Sequence, residues 1–84
     1  MTALIKNTRL TPANAARLQP GFYDMESGKI YLSRYRDGKL APIHIEDGLP
    51  GQVVERLDIN VIAGFVRQAR FYTRKQALEL LQVA

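Results

Sequence analysis

Aromatic and basic side chains alternate within residues 29–39 of this sequence. On a strand, Tyr31 and Tyr35 would share one face, where tyrosine rings can stack on nucleic-acid bases while neighbouring cations contact phosphates. The predicted contact residues in this stretch are Lys29, Tyr31, Arg34, Tyr35, Arg36 and Lys39. A second group, expected to add electrostatic attraction, consists of Arg70, Arg74 and Lys75. The pattern predicts a nucleic-acid-binding surface and favours DNA over RNA.

The formal net charge of the chain is +4 at pH 7. Residues 1–45 and 59–84 carry an excess of Lys and Arg, whereas residues 46–58 carry an excess of Asp and Glu. A basic domain suggests an anionic partner such as nucleic acid. A solvated surface that keeps a small protein soluble has a similar balance, so the charge alone does not decide the function.

The same region also has the composition of a protein-binding surface. Phe22, Tyr31, Tyr35 and Leu40 are expected to share one sheet face and to form an apolar patch of the kind found at protein interfaces. Residues 40–45 are predicted to form an exposed edge strand, which can pair with a partner protein or with a second copy in a homodimer. The alternative function is therefore an adaptor or inhibitor of the kind encoded by phages and plasmids.

Catalytic chemistry is not expected from the few candidate residues. Asp24 and His44 fall in one row of the predicted sheet, but two strands apart, which corresponds to about 10 Å. At that distance the carboxylate cannot orient the imidazole as the acid of a catalytic triad does. Ser33 can approach His44 diagonally, but the sequence around it has no glycine-rich elbow. We predict a protein that is not an enzyme and has no catalytic residue.

The composition also limits the cofactors and the cellular location. The chain has no cysteine and one histidine, which excludes disulfides and multi-histidine metal sites. It contains no phosphate-binding loop, so no metal or cofactor is expected. The apolar run at residues 61–66 is too short to span a bilayer, and the first ten residues lack the apolar core of a signal peptide. These features predict a cytoplasmic protein without a membrane partner.

Two turn signals define the predicted sheet. Ser27-Gly28 and Asp37-Gly38 are typical of two-residue hairpin loops, and they predict a three-stranded antiparallel meander over about residues 22–45. One face of this sheet is apolar and is expected to be covered. It comprises Tyr23, Met25, Ile30, Leu32, Ala41, Ile43 and Ile45. The opposite face, with Phe22, Tyr31 and Tyr35, is expected to be the exposed binding surface.

Helical patterns are found on both sides of this sheet. Thr11-Pro12 is a helix-start signal and predicts a short N-terminal helix over residues 13–18. Residues 58–69 have apolar side chains at helical spacing, and the Thr73-Arg74-Lys75-Gln76 capping box begins a last helix. Residues 52–57 fit either a strand or a helix. The prediction is one α+β domain over residues 1–84, with two C-terminal helices packed on one face of the meander.

Two segments are similar to a known protein family. They read GKIYLSRYRDGK and, further along the chain, FYTRKQALELL. Together they resemble the arm-type DNA-binding domains of tyrosine recombinases. The resemblance implies a three-stranded sheet followed by an aromatic-x-Thr step into a helix that contains an alanine. Residues 46–70 depart from the family pattern, because that family has a short connection where this chain has a predicted extra helix.

Overall fold

The computed structural model describes residues 18–82. The predicted N-terminal helix over residues 13–18 lies outside the described residues, apart from Leu18. The strands are β1 (Gln19–Asp24), β2 (Ile30–Leu32), β3 (Val61–Arg67) and β4 (Arg70–Tyr72), and the helices are α1 (Gly51–Val54) and α2 (Arg74–Gln82). The strands form one antiparallel sheet in the order β2-β1-β3-β4. The α+β class is therefore confirmed, but the sheet in the described region has four strands instead of the predicted three.

The predicted helix over residues 58–69 is wrong, because most of this segment forms the hairpin of β3 and β4. Asp58, the first residue of that segment, has a left-handed φ of 64°. Val61 and Phe65 lie on one face of β3 and Val66 lies on the other, with apolar neighbours on both faces. The sequence of a strand with two apolar faces is a continuous apolar run. Periodicity alone does not distinguish such a run from a helix.

The first hairpin is confirmed at its predicted position, but its loop is longer. Phe22 pairs with Tyr31 and Tyr23 with Ile30, so residues 25–28 form a four-residue loop. The Asp24 carboxylate holds this loop, since it accepts hydrogen bonds from the Glu26 amide at 2.9 Å and the Ser27 hydroxyl at 2.9 Å. The register is shifted by two residues from the prediction, which leaves every side chain on its predicted face.

The second hairpin turns at Asp37-Gly38, as predicted, but with a three-residue loop. The Tyr35 amide donates to the Lys39 carbonyl at 2.8 Å, and Gly38 adopts a φ of 91°, the geometry of a turn with a glycine bulge. Leu40 consequently lies opposite Arg34, whereas a two-residue loop at Asp37-Gly38 would have placed it opposite Tyr35. Beyond this bridge residues 41–45 leave the sheet, so the predicted edge strand over residues 40–45 is wrong. Strand β2 is the edge of the sheet instead.

The hydrophobic core lies on the sheet face that was predicted to be exposed. Phe22 is only 3% exposed and forms the core with Val53 of α1 and Val61 of β3. We call this side the core face. The partly buried residues packed against it are Tyr31, Leu49, Leu57 and Ala63. Helix α2 covers the same side, where its Ala77 lies beside Phe65.

The opposite side of the sheet, which we call the open face, is not covered by either helix of the described region. Its apolar residues are Tyr23, Ile30, Leu32, Ile62, Val66 and Phe71. The rings of Tyr23 and Phe71 stack with centroids 5.4 Å apart. Gly64 lies below Phe71, and a Cβ at this position would collide with the ring. The prediction therefore grouped Tyr23, Ile30 and Leu32 on one face correctly but expected that face to be the covered one. The other residues expected on it, Met25, Ala41, Ile43 and Ile45, lie outside the strands.

Candidate functional site

The strand directions bring two basic turns to the same end of the sheet. The start of β1 lies beside the ends of both neighbours, because Gly21 pairs with Leu32 of β2 and Gln19 pairs with Val66 of β3. The second hairpin leaves β2 at this end, and the β3–β4 turn leaves β3 at the same end. We call this region the basic end. Its cationic residues are Arg34, Arg36, Lys39, Arg67 and Arg70.

The second hairpin presents an aromatic ring among cations. Arg34 donates from Nη1 to the Gly38 carbonyl at 2.7 Å and so holds the loop closed. Asp37 accepts the Lys39 amide at 3.0 Å. Tyr35 is 41% exposed, and the side chains of Arg36 and Lys39 are also exposed. Three of the predicted contact residues, Tyr35, Arg36 and Lys39, are thus accessible together on one turn.

The β3–β4 turn contributes two arginines, one of which the sequence reasoning did not select. Arg67 and Arg70 pair directly across the two-residue turn. Gln68 and Ala69, the turn residues, have φ values of 53° and 64°. Such a turn normally contains Gly, Asn or Asp. Because residues 67–70 contain none of these, no turn signal identified Arg67 as a neighbour of Arg70.

The other predicted contact residues lie elsewhere. Lys29 is exposed at the opposite end of the sheet, where it precedes β2, and Tyr31 packs against the core. Arg74 lies in the first turn of α2 and lines an apolar groove with Leu18, which is adjacent to the basic end. Lys75 is exposed on the same helical turn. The structure therefore separates Lys29 and Tyr31 from the remaining candidates.

The opposite end of the sheet is acidic and contains a partly buried ion pair. Asp24 is only 2% exposed, and its two carboxylate oxygens accept bonds from Arg56 Nη1 at 2.7 Å and Nη2 at 2.8 Å. The Arg56 guanidinium holds the pKa of Asp24 well below its usual range, and bonds from the Glu26 and Ser27 amides act in the same direction. The hydrogen bond with Asp24 in turn raises the pKa of Arg56.

Within residues 18–82, Arg56 is the only Lys or Arg that forms a salt bridge. The cations of the basic end have acidic neighbours in Asp37 and in the loop of residues 46–48, where Gly48 packs against Arg34. Residues at the acidic end include Asp24, Glu26, Glu55 and Asp58. The basic end thus has five cations against Asp37, Glu46 and Asp47, and the acidic end has four carboxylates against Lys29 and Arg56, so each end has only an excess of one sign.

His44 and Ser33 tether residues 41–45 to the sheet. The Ser33 hydroxyl donates to the Ile43 carbonyl at 2.8 Å and accepts the Ile45 amide at 2.9 Å. His44 Nε2 lies 2.7 Å from the Gly64 carbonyl, and its ring contacts Phe22 and Phe65 edge-on. In the part of the chain that the structure describes, no cluster of His, Cys, Asp or Glu can hold a metal ion. No described helix is long and apolar enough to cross a membrane.

Comparisons with known protein families, with curated proteins and with solved structures found no match to this chain. The similarity to the arm-type domains of tyrosine recombinases therefore depends on the two quoted segments alone. The candidate site must be interpreted from its own geometry.

Proposed function

We propose that this chain is a small, non-enzymatic protein that binds nucleic acid, with DNA preferred, through the basic end. The observation that carries the proposal is the convergence of two cationic turns at one end of the sheet. Phosphate contacts of this kind supply salt-dependent affinity and fix the orientation of the protein. The residues assigned to the contact are Arg34, Tyr35, Arg36, Lys39, Arg67 and Arg70, with Arg74 and Lys75 beside them.

The positions of the charges support this proposal more strongly than the net charge does. Residues 18–82 contain nine Lys or Arg and eight Asp or Glu, so their net charge is only +1. With so small a total, attraction of a polyanion depends on where the charges lie. Because the acidic end lies away from the two cationic turns, its repulsion of phosphates at the basic end is weakened by distance and by salt screening.

The spacing of the turns is suitable for a duplex or a single strand. Strands β2 and β3 are two positions apart in the sheet, which corresponds to roughly 10 Å between the bases of the two turns. The major groove of B-DNA is about 12 Å wide, so both turns can reach phosphates of the same molecule. Tyr35 is exposed between Arg34 and Arg36, where its ring can stack on an unpaired base.

A mobility-shift titration tests the proposal. Duplex DNA, single-stranded DNA and RNA are each titrated with the whole protein at low and at physiological salt. The proposal expects binding to DNA that weakens steeply with salt and is reduced by the double variant Arg36→Gln/Lys39→Gln. Lys29→Gln is the control, because it removes a positive charge at the opposite end. Absence of binding at low salt, or equal losses for the double variant and the control, would contradict it.

A second candidate function, a protein-interaction module, is favoured by the open face. Phe22 and Tyr31 pack in or against the core, so the originally expected patch of Phe22, Tyr31, Tyr35 and Leu40 does not form one exposed surface. The open face instead has apolar side chains that neither described helix covers, of which Ile30 is exposed, Val66 is buried and the others are partly buried. Apolar surface of this kind is typical of protein interfaces. In one form of this second function, two copies of the chain bind each other through the open face.

The two functions are distinguished by a variant on the open face. Ile30 is 38% exposed on this face, and Ile30→Ser should weaken a protein complex or a homodimer measured by sedimentation. Ile59 is 76% exposed and lies outside the sheet, so Ile59→Ser is the matched control. An unchanged sedimentation profile for Ile30→Ser, in a protein that still binds DNA, would leave only the nucleic-acid function.

A further inference from the structure

The turn between β3 and β4 combines unusual backbone with unusual electrostatics. Gln68 and Ala69 both have positive φ, a conformation that residues other than glycine rarely adopt. Residues held in such conformations cluster at binding sites, where the surrounding structure maintains them. The turn is also short, so it fixes the separation of the two residues that flank it.

Those flanking residues are both arginines. Arg67 and Arg70 are direct cross-strand partners, so their Cβ atoms are about 5 Å apart and on the same face of the hairpin. Like charges in this arrangement repel each other. Within residues 18–82 neither guanidinium has a carboxylate partner that would offset the repulsion.

The Arg67 side chain also has an unsatisfied donor. Its Nε atom is buried, and it has no hydrogen-bond partner in the described part of the chain. Buried donors are nearly always paired in proteins, and an exception can indicate a ligand. In an arginine, Nε and one Nη together form the edge that binds the oxygens of a phosphate or carboxylate in two parallel hydrogen bonds.

We propose that Arg67 and Arg70 form a clamp for one phosphate group, and that the positive-φ turn holds the two guanidiniums at the required separation. A phosphate bridging both guanidiniums offsets their repulsion, and it can accept from Arg67 Nε once a shift of the side chain exposes that buried atom. The two non-bridging oxygens of a phosphodiester can each accept hydrogen bonds from one of the two guanidiniums. The assignment deepens the proposed function and rests on it, since a phosphodiester of DNA is the intended ligand.

The same phosphate chemistry is present in free phosphate, so the first experiment uses sodium phosphate itself. Amide chemical shifts of the whole protein are recorded during titration with phosphate, and in parallel with acetate and chloride at equal ionic strength. The clamp predicts saturable shifts at residues 67–70 with phosphate alone. Arg70→Gln, which changes an exposed side chain, should weaken this binding at least about tenfold. Lys29→Gln should leave it unchanged.

Two further measurements distinguish loss of the clamp from loss of folding, and phosphate binding from DNA binding. Arg70→Lys keeps the charge but loses the bidentate donor of the guanidinium. It should therefore bind phosphate more tightly than Arg70→Gln but less tightly than the parent protein. A DNA titration of the same variants then distinguishes the outcomes. Phosphate binding at residues 67–70 without DNA binding supports the clamp and rejects the nucleic-acid function. DNA binding that is unaffected by Arg70→Gln, or equal shifts with phosphate, acetate and chloride, overturns the clamp.

Discussion

Asp24 and Arg56 join two segments that are far apart in the sequence. Asp24 ends β1 and holds the loop of residues 25–28, whereas Arg56 follows α1. The two Nη atoms of Arg56 lie within 2.8 Å of the carboxylate oxygens. Arg56 Nη1 also donates to Asn60 at 3.1 Å, and the Met25 amide donates to the Asn60 carbonyl at 2.8 Å. The pair therefore fixes the first hairpin against the connection that leads into β3.

The first prediction concerns the pH dependence of stability. Because the pKa of Asp24 is lowered in the folded protein, its contribution is fully present above its ordinary value of about 3.9. The contribution is lost as the pH falls from that value through the lower pKa of the folded state. Urea unfolding between pH 7 and pH 2 should therefore show a decline in the free energy of unfolding below about pH 4.

Asp24→Asn is the variant that tests this assignment. It should be less stable than the parent at pH 7, because the partly buried Arg56 guanidinium then loses its charged partner. Its stability should fall less steeply between pH 4 and pH 2, since the titrating group is gone. Glu26→Gln, which changes an exposed carboxylate of the same loop, should retain the steep decline. Parallel curves for Asp24→Asn and the parent would refute the role of Asp24.

The second prediction concerns the backbone of the β3–β4 turn. Ala69 has a φ of 64°, where a side chain is unfavourable by roughly 1 kcal/mol relative to glycine. Ala69→Gly should therefore raise the free energy of unfolding by about 0.5–1 kcal/mol. Ala77→Gly, at a buried position in α2, should lower it instead. Destabilisation by both glycines, measured by urea unfolding, would show that residue 69 does not adopt this conformation.

Local signals in the sequence predicted local structure correctly. The Thr73 capping box was expected to begin a helix, and α2 begins there with both reciprocal hydrogen bonds, at 2.9 and 3.1 Å. All groups of this motif lie within four residues, so tertiary context does not alter it. The turns at Gly28 and Gly38 were placed correctly for the same reason, because each glycine adopts the positive φ that its turn requires.

The lengths of the loops, and features that depend on distant partners, were not predicted. Loop lengths differed because the Asp24 carboxylate and the Gly38 bulge, not glycine alone, determine them. The interior face was misassigned because β3, the strand that covers Phe22 with Val61 and Ala63, was predicted as a helix. The same error left Arg67 out of the expected site. Both mistakes arise because the turn residues Gln68 and Ala69 are not of the types, Gly, Asn and Asp, that predict a turn.

The third prediction concerns close packing on the open face. Gly64 lies under the Phe71 ring and close to the Tyr72 carbonyl, so a methyl group there must displace β4. Gly64→Ala should destabilise the protein by about 1–3 kcal/mol, the range found for overpacked interiors. Gly51 has no atom near the same position, so Gly51→Ala is the control and should be close to neutral. Thermal unfolding that shows equal midpoints for the two variants would contradict this packing.

The fourth prediction concerns the hydrogen bond by which Thr73 caps α2, and it distinguishes the effect of the hydroxyl from that of the methyl group. Thr73→Ala removes the hydroxyl that accepts the Gln76 amide at 3.1 Å, and it should cost about 1 kcal/mol of stability. Thr73→Ser keeps an equivalent oxygen and should lose much less. The comparison is made by urea unfolding of both variants. If serine and alanine lower the free energy of unfolding equally, the loss comes from the methyl group and not from the cap.

The last prediction distinguishes stacking from charge in the proposed nucleic-acid contact. Tyr35→Ala should weaken binding of single-stranded DNA by about 1–3 kcal/mol, the range for one stacked base, while the slope of log affinity against log salt stays unchanged. Tyr35→Phe keeps the ring and should retain most of the affinity. Arg36→Gln should behave differently, because removal of one phosphate contact reduces that slope by about 1. Loss of affinity in Tyr35→Phe as large as in Tyr35→Ala would mean that the hydroxyl, and not the ring, makes the contact. A salt slope that Arg36→Gln leaves unchanged would remove this side chain from the phosphate contacts.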